Sequence, residues 1–227
     1  ALRGAVEAAA VDLLDVRRRL PGDHRRSAAG RLLLQRPHHR GCLPPQCAGG
    51  HPGPAGCRRD GLLHDAADAD DLRRPEAPRL LAPVDGDFQL SARVSVDFAA
   101  TFDAGVLLVY ADATHWAKLC FEFTPQRRPS VVSVVTNGVS DDANAFELPD
   151  RSVWLRVSRI GRVFAFHAST DGTWWRLVRY FQLSAVPPGT SVHVGFLVQS
   201  PAGDGCRVAF DDLRFSRQPP TELRDGS

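Results

Sequence analysis

From Phe88 the chain alternates without a break. Phe88, Leu90, Ala92, Val94, Val96 and Phe98 fall on one side of an extended backbone, and Gln89, Ser91, Arg93, Ser95 and Asp97 on the other. The same period, punctuated by turn residues, recurs to residue 215. It predicts strands over 88–98, 105–111, 115–124, 130–137, 143–148, 152–159, 162–169, 173–183, 191–199 and 206–215. Asp171-Gly172 reads as a hairpin turn, and Pro187-Pro188-Gly189 and Ser200-Pro201-Ala202-Gly203 break the chain cleanly. Many short strands with no credible helix predict an all-β antiparallel sandwich.

The first 78 residues carry no such pattern. They contain no Phe, Tyr, Trp, Ile, Lys, Asn or Thr, so they lack the large, shape-specific side chains a core needs. One amphipathic piece, residues 7–20, puts Leu13, Val16 and Leu20 on a helical face before Pro21-Gly22 stops it. The expected organisation is a head over 1–78 without fixed structure, a β-sandwich over 79–217 and a disordered tail over 218–227.

Charge and cysteine content narrow the function. The 227 residues carry a net charge of +2, and the arginines at 17–19 and 25–26 are diluted by Asp12, Asp15 and Asp23, so no nucleic-acid partner is expected. No apolar run reaches the ~18 residues of a membrane-spanning helix, and no membrane association is expected. The five cysteines, Cys42, Cys47, Cys57, Cys120 and Cys206, form no compact framework and read as thiols of a reducing, cytoplasmic compartment. His38, His39 and His51 lie near the first three, but the spacing departs from paired zinc motifs, and no metal or cofactor is expected.

Five ordered blocks carry a family resemblance: HWAKLCFEF (115–123), SVVSVVTNGVSD (130–141), VWLRVSRIG (153–161), STDGTWWRLVR (169–179) and QSPAGDGCRVAFDDLRF (199–215). Over about 80–215 the chain resembles the DUF1349 family, also called regulation-of-enolase-protein-1-like, of the concanavalin A-like lectin/glucanase superfamily. The resemblance implies a jelly-roll sandwich and, by analogy of fold alone, sugar binding. The chain departs from the family at Cys120, where a Gly is usual, and at Asp142, where Trp usually follows Ser-Asp. It also lacks the family's opening strand words before LLAPV. Two readings account for the head: GC-rich coding sequence translated out of frame, or a natural low-complexity extension. On the first, strands are missing and the sandwich has a gap or an unpaired edge.

Candidate chemistry follows from alternation. On strand 115–124, Ala117, Leu119, Phe121 and Phe123 face the core, and Trp116, Lys118 and Glu122 face out or into a groove. An indole can stack on a sugar ring while Lys and Glu bond its hydroxyls; an exposed ion pair beside a half-buried Trp explains the same residues. Ser133, Thr136 and Asn137 extend this polar set, or are ordinary strand-edge polarity. Trp174 and Trp175 are expected to face opposite ways, one into the core. Trp175 and Arg179 share a side by alternation, as a ligand contact or a cation–π pair. A glycosidase needs two carboxylates flanking one bond, and no Glu-x-Asp-x-x-Glu run occurs. The expected function is therefore a non-catalytic, carbohydrate-binding-like domain with no catalytic residues. The alternatives are a regulatory protein–protein module, as the family name suggests, and a glycoside-active enzyme. The partner is a carbohydrate or a protein.

Overall fold

The computed structural model describes residues 32–35, 79–184, 186 and 190–227. It contains twelve strands: β1 (Leu32–Gln35), β2 (Arg79–Val84), β3 (Phe88–Asp97), β4 (Ala104–Asp112), β5 (His115–Phe123), β6 (Pro129–Asn137), β7 (Val139–Glu147), β8 (Ser152–Ile160), β9 (Val163–Ser169), β10 (Arg176–Phe181), β11 (Val192–Gln199) and β12 (Arg207–Ser216). They form two antiparallel six-stranded sheets. Sheet A runs β1-β12-β3-β8-β9-β10, and sheet B runs β2-β11-β4-β5-β6-β7. The ten strands expected from Phe88 onward are all present.

Alternation along β3 and β5 builds the layer between the sheets. Phe88, Leu90, Ala92, Val94 and Val96 of β3 meet Ala117, Leu119 and Phe121 of β5 in one buried cluster with Val157, Phe166, Phe196 and Phe210. Aromatic pairs fill one end, where Phe98 lies edge-on to Phe121 at 5.1 Å and stacks on Phe123 at 5.2 Å. The entry to β4 is fixed by Asp103, fully buried, whose Oδ2 accepts from the Ala99 and Ala100 N–H groups at 2.8 Å.

Two described segments at the chain ends carry structure where none was expected. β1 lies inside the segment expected to lack structure, and its backbone pairs with β12 from Leu32↔Phe210 to Gln35↔Arg207. The rest of the head, including the helical piece at 7–20 and the cysteine–histidine cluster, lies outside the described residues. No gap interrupts either sheet among the described residues, and the inward side chains of β3 are buried. Residues 218–227, expected to be disordered, pack on sheet A, with Leu223 only 4% exposed.

β2 was not expected. Its sequence, RLLAPV, has no clean alternation, and Pro83 cannot donate to a ladder, which suits an edge position. Its partner β11 admits it through a glycine. A Cβ on Gly195 would lie 1.9 Å from the Leu80 carbonyl oxygen, a backbone atom that cannot swing aside. Gly195→Ala is therefore expected to strip β2 from the sheet. Amide exchange across Leu80–Val84 should accelerate by orders of magnitude while β5 and β6 stay protected.

Candidate functional site

The central strands of sheet B, β4, β5 and β6, are buried on both faces. β4 and β6 do not alternate: Val106-Leu107-Leu108-Val109 and Val131-Val132, Val134-Val135 are continuous apolar runs. Such runs belong to strands covered on both sides. Leu107, Val109, Val131 and Val135 enter the inter-sheet core. Val106, Leu108, Trp116, Cys120, Val132, Val134 and Leu197 form a second buried cluster on the opposite face.

Polar side chains are set into that second face. Lys118 and Glu122, 1% and 7% exposed, are joined through Gln199. Lys118 Nζ donates to Gln199 Oε1 at 3.0 Å, and Gln199 Nε2 donates to Glu122 Oε2 at 3.3 Å. Gln199 also donates to the Phe102 carbonyl at 3.2 Å and accepts, through its own carbonyl, the Cys206 Sγ–H at 3.3 Å. The strand register sets an aromatic row beside this chain: Pro83, His193, Tyr110, Trp116, Thr136 and Ser140 stand in line across six strands. Arg79 lies over the Tyr110 ring at 5.8 Å, Lys118 Nζ over the Trp116 ring at 5.9 Å, and Thr136 Oγ1 and Ser140 Oγ are 2.9 Å apart. Within the row Trp116 is buried, whereas Tyr110, His193 and Ser140 keep exposed surface.

The expected site residues separate into three groups. Trp116, Lys118, Glu122 and Thr136 do share the outer face of sheet B. They are buried there, not open to solvent, and Lys118 and Glu122 are bridged by an amide. Val106, Leu108, Val132 and Val134 stand beside them in the same buried cluster.

Ser133 and Asn137 lie on the other side of β6, and with Arg179 they clasp the two sheets along one edge. Arg179 of β10 reaches across to β7, its Nη2 2.6 Å from Asp141 Oδ2 and its Nη1 3.2 Å from the Asp141 carbonyl and 3.5 Å from Ser133 Oγ. Asn137 donates to the Gln182 carbonyl at 3.2 Å and accepts from the Ser184 N–H at 2.9 Å.

Trp175 does not share a face with Arg179. The β9–β10 register slips between Leu177 and Arg179, a bulge that reverses the alternation. Trp175 instead stacks under Arg156 at 4.3 Å on the outer face of sheet A. Neither Trp174 nor Trp175 enters the core, because β10 begins only at Arg176. Residues 170–175 are a turn held by Asp171, whose Oδ1 accepts from Ser169 Oγ and from the Thr173 and Trp174 N–H groups. Those two backbone N–H bonds hold the Asp171 carboxyl well below the usual carboxylate range.

Sequence reasoning missed Gln199, Tyr110 and His193. Gln199 closes a strand just before a Ser-Pro break, where a polar residue carries no signal. It also missed a cleft of about 500 Å³ on sheet A lined by Arg93, Arg151, Ser152 and Trp154. Arg93 lies over the Trp154 ring at 4.9 Å and donates to Ser152 Oγ. No helix is long and apolar enough to cross a membrane, and no cluster of His, Cys, Asp and Glu suited to a metal occurs, among the described residues.

The family model described as "Protein of unknown function (DUF1349)" matches residues 66–218. The chain belongs to the DUF1349 family. A functionally unknown protein from Saccharomyces cerevisiae shares this fold at 26% identity and TM-score 0.54, covering 63% of this chain and 76% of that one. The GH43 protein BlXynB of Bacillus licheniformis matches at 12% identity and TM-score 0.53, over 65% of this chain and 34% of that one. A xylan beta-1,4-xylosidase of Bacillus halodurans C-125 matches at 15% identity and TM-score 0.52, over 63% and 33%. The chain thus spans about a third of these two proteins, and those likenesses show the antiparallel β-sandwich fold alone. No curated protein matches the chain.

Proposed function

We propose that this DUF1349 protein is a non-catalytic, carbohydrate-binding-like module whose ligand is met at the Tyr110–His193 end of the outer face of sheet B, where side chains keep accessible surface. The observation that carries this reading is the polar inlay there. A Lys118–Gln199–Glu122 chain lies beside the Tyr110–Trp116 row, on a face the inter-sheet core does not use. A face that served packing alone would be apolar throughout. The solved neighbours that act on xylan have the same sandwich as part of their chains, which favours a saccharide.

The division of labour is set by burial. Tyr110 and His193 offer the ligand accessible surface, an aromatic ring for stacking and an imidazole for hydroxyls. Lys118 and Glu122, each hydrogen-bonded to Gln199, tie β5 to β11 beneath and position the Tyr110–Trp116 row. Glu122 has no second carboxylate in its strand, which is why binding is favoured over hydrolysis.

Calorimetric titration with xylo-oligosaccharides tests the reading. Binding at micromolar to millimolar concentration is expected, weakened about tenfold by Tyr110→Ala through loss of stacking. Absence of any saccharide binding at millimolar concentration, or turnover of a chromogenic glycoside, would overturn it.

A further inference from the structure

The outer face of sheet A holds a buried cation whose partners among the described residues are a carbonyl and an aromatic ring. Arg156 of β8 and His167 of β9 are paired in register, 4% and 0% exposed, beneath the C-terminal segment. Arg156 Nη2 donates to the Gly226 carbonyl at 2.7 Å, and its guanidinium stacks on Trp175. Its Nε has no partner, and no carboxylate ion-pairs with it among the described residues. Burial pushes its pKa down to about 10. His167 Nε2 lies 2.8 Å from the Leu223 carbonyl, which can only accept, so Nε2 carries the proton and Nδ1 is left without a partner.

The segment's own acids take their hydrogen bonds within the segment, and Asp225 acts on His167 through charge alone. Asp225 Oδ1 accepts from Ser227 N and Oγ, and Glu222 Oε1 accepts from Arg224 N. The guanidinium is thus offered one neutral carbonyl on the edge formed by Nη2 and Nε. That edge is the one a carboxylate engages with both oxygens, and charge-assisted pairs of this kind are about twice as strong as neutral ones. The seat is tight: Gly226 has φ +78°, and a Cβ there would lie 2.4 Å from Arg156 Nη2 and about as close as 3.1 Å to the His167 ring. Two residues before Arg156, and so on the same face of β8, Trp154 lines the 500 Å³ cleft, which gives the remainder of a ligand room.

We propose that Arg156, His167 and Trp175 form a second binding site, for a carboxylate-bearing ligand, and that residues 220–227 are a lid occupying it. The incoming carboxylate takes Arg156 Nε and Nη2 in place of the Gly226 carbonyl. His167 Nε2–H, released by the Leu223 carbonyl, is the third donor. This site stands on the opposite sheet from the saccharide face and does not depend on that reading.

The test follows the Arg156 Nε–H resonance of the full-length ¹⁵N-labelled chain during titration with sodium acetate, against sodium chloride at equal ionic strength. The expected result is a saturable shift with acetate alone. Gly226→Ala, which unseats the lid, should bind acetate at least tenfold more tightly and be cut faster by trypsin at Arg224. Arg156→Lys, which keeps the charge and loses the two-pronged edge, should lose the acetate response when it is followed at the Trp175 indole N–H. Binding in Gly226→Ala alone supports the proposal, because the closed lid then outcompetes acetate in the parent chain. Acetate and chloride acting alike on a Gly226→Ala protein whose lid trypsin shows to be lifted would overturn it.

Discussion

Phe121→Ala should lower the free energy of unfolding by about 3–5 kcal/mol, read from the midpoint of a urea titration at unchanged slope. Phe121 is fully buried at the centre of β5, and its ring meets Phe98 edge-on. Its neighbours cannot collapse into the vacated space. They belong to ladders on both flanks, Gly105 of β4 on one side and Val131 of β6 on the other. A Cβ on Gly105 would already lie 2.5 Å from Val94 Cγ1, so the two sheets are in close contact there. A loss near the surface value of about 0.5 kcal/mol would mean that this face of β5 is not the core.

Acid should weaken the protein before its carboxylates protonate. His167 has a pKa pushed down to about 4, first by burial, then by the neighbouring Arg156 charge, and only partly restored by the Leu223 carbonyl and Asp225. In the unfolded chain the imidazole titrates near its ordinary 6.5. The unfolded state therefore binds more protons between those values, and stability rises with pH. His167 lowers stability below pH 6.5, and the loss is complete once pH has fallen through about 4. The gap corresponds to about 3 kcal/mol at 1.36 kcal/mol per unit. The charged groups facing it are Arg156 from β8 and Asp225 from the C-terminal segment. A melting temperature that falls steadily from pH 6.5 to 4.5 in the parent, and stays flat in His167→Asn, is the expected outcome. Parallel curves would remove His167 from the account.

How much of this was legible in the residues differs from strand to strand. β3 and the inward face of β5 could be read from the residues, because period-two alternation separates the core side chains from the rest. The location of Leu119 and Phe121 in the core follows directly. The dryness of the opposite face was also written in the chain, in the unbroken apolar runs of β4 and β6. On β5 the polar Lys118 and Glu122 interrupt that apolar pattern. Trp175 and Arg179 were misplaced because alternation carries no memory of a bulge: one extra residue between Leu177 and Arg179 reversed every later assignment on β10. The packing of 218–227 had almost no signal. A single Leu223 among polar residues anchors it, and the buried Arg156 and His167 that receive it alternate like any solvent-facing pair. β2 was hidden by Pro83 and by its irregular pattern. Only the partner strand's Gly195 marks where it lies.

The placement of ligand recognition on the outer face of sheet B is tested most directly by amide and indole shift mapping of the ¹⁵N-labelled protein during xylo-oligosaccharide titration. Saturable shifts grouped at Tyr110, the Trp116 indole, His193 and Gln199, with Trp154 and Trp175 unmoved, are predicted. Shifts confined to sheet A, or none at millimolar saccharide, would contradict it.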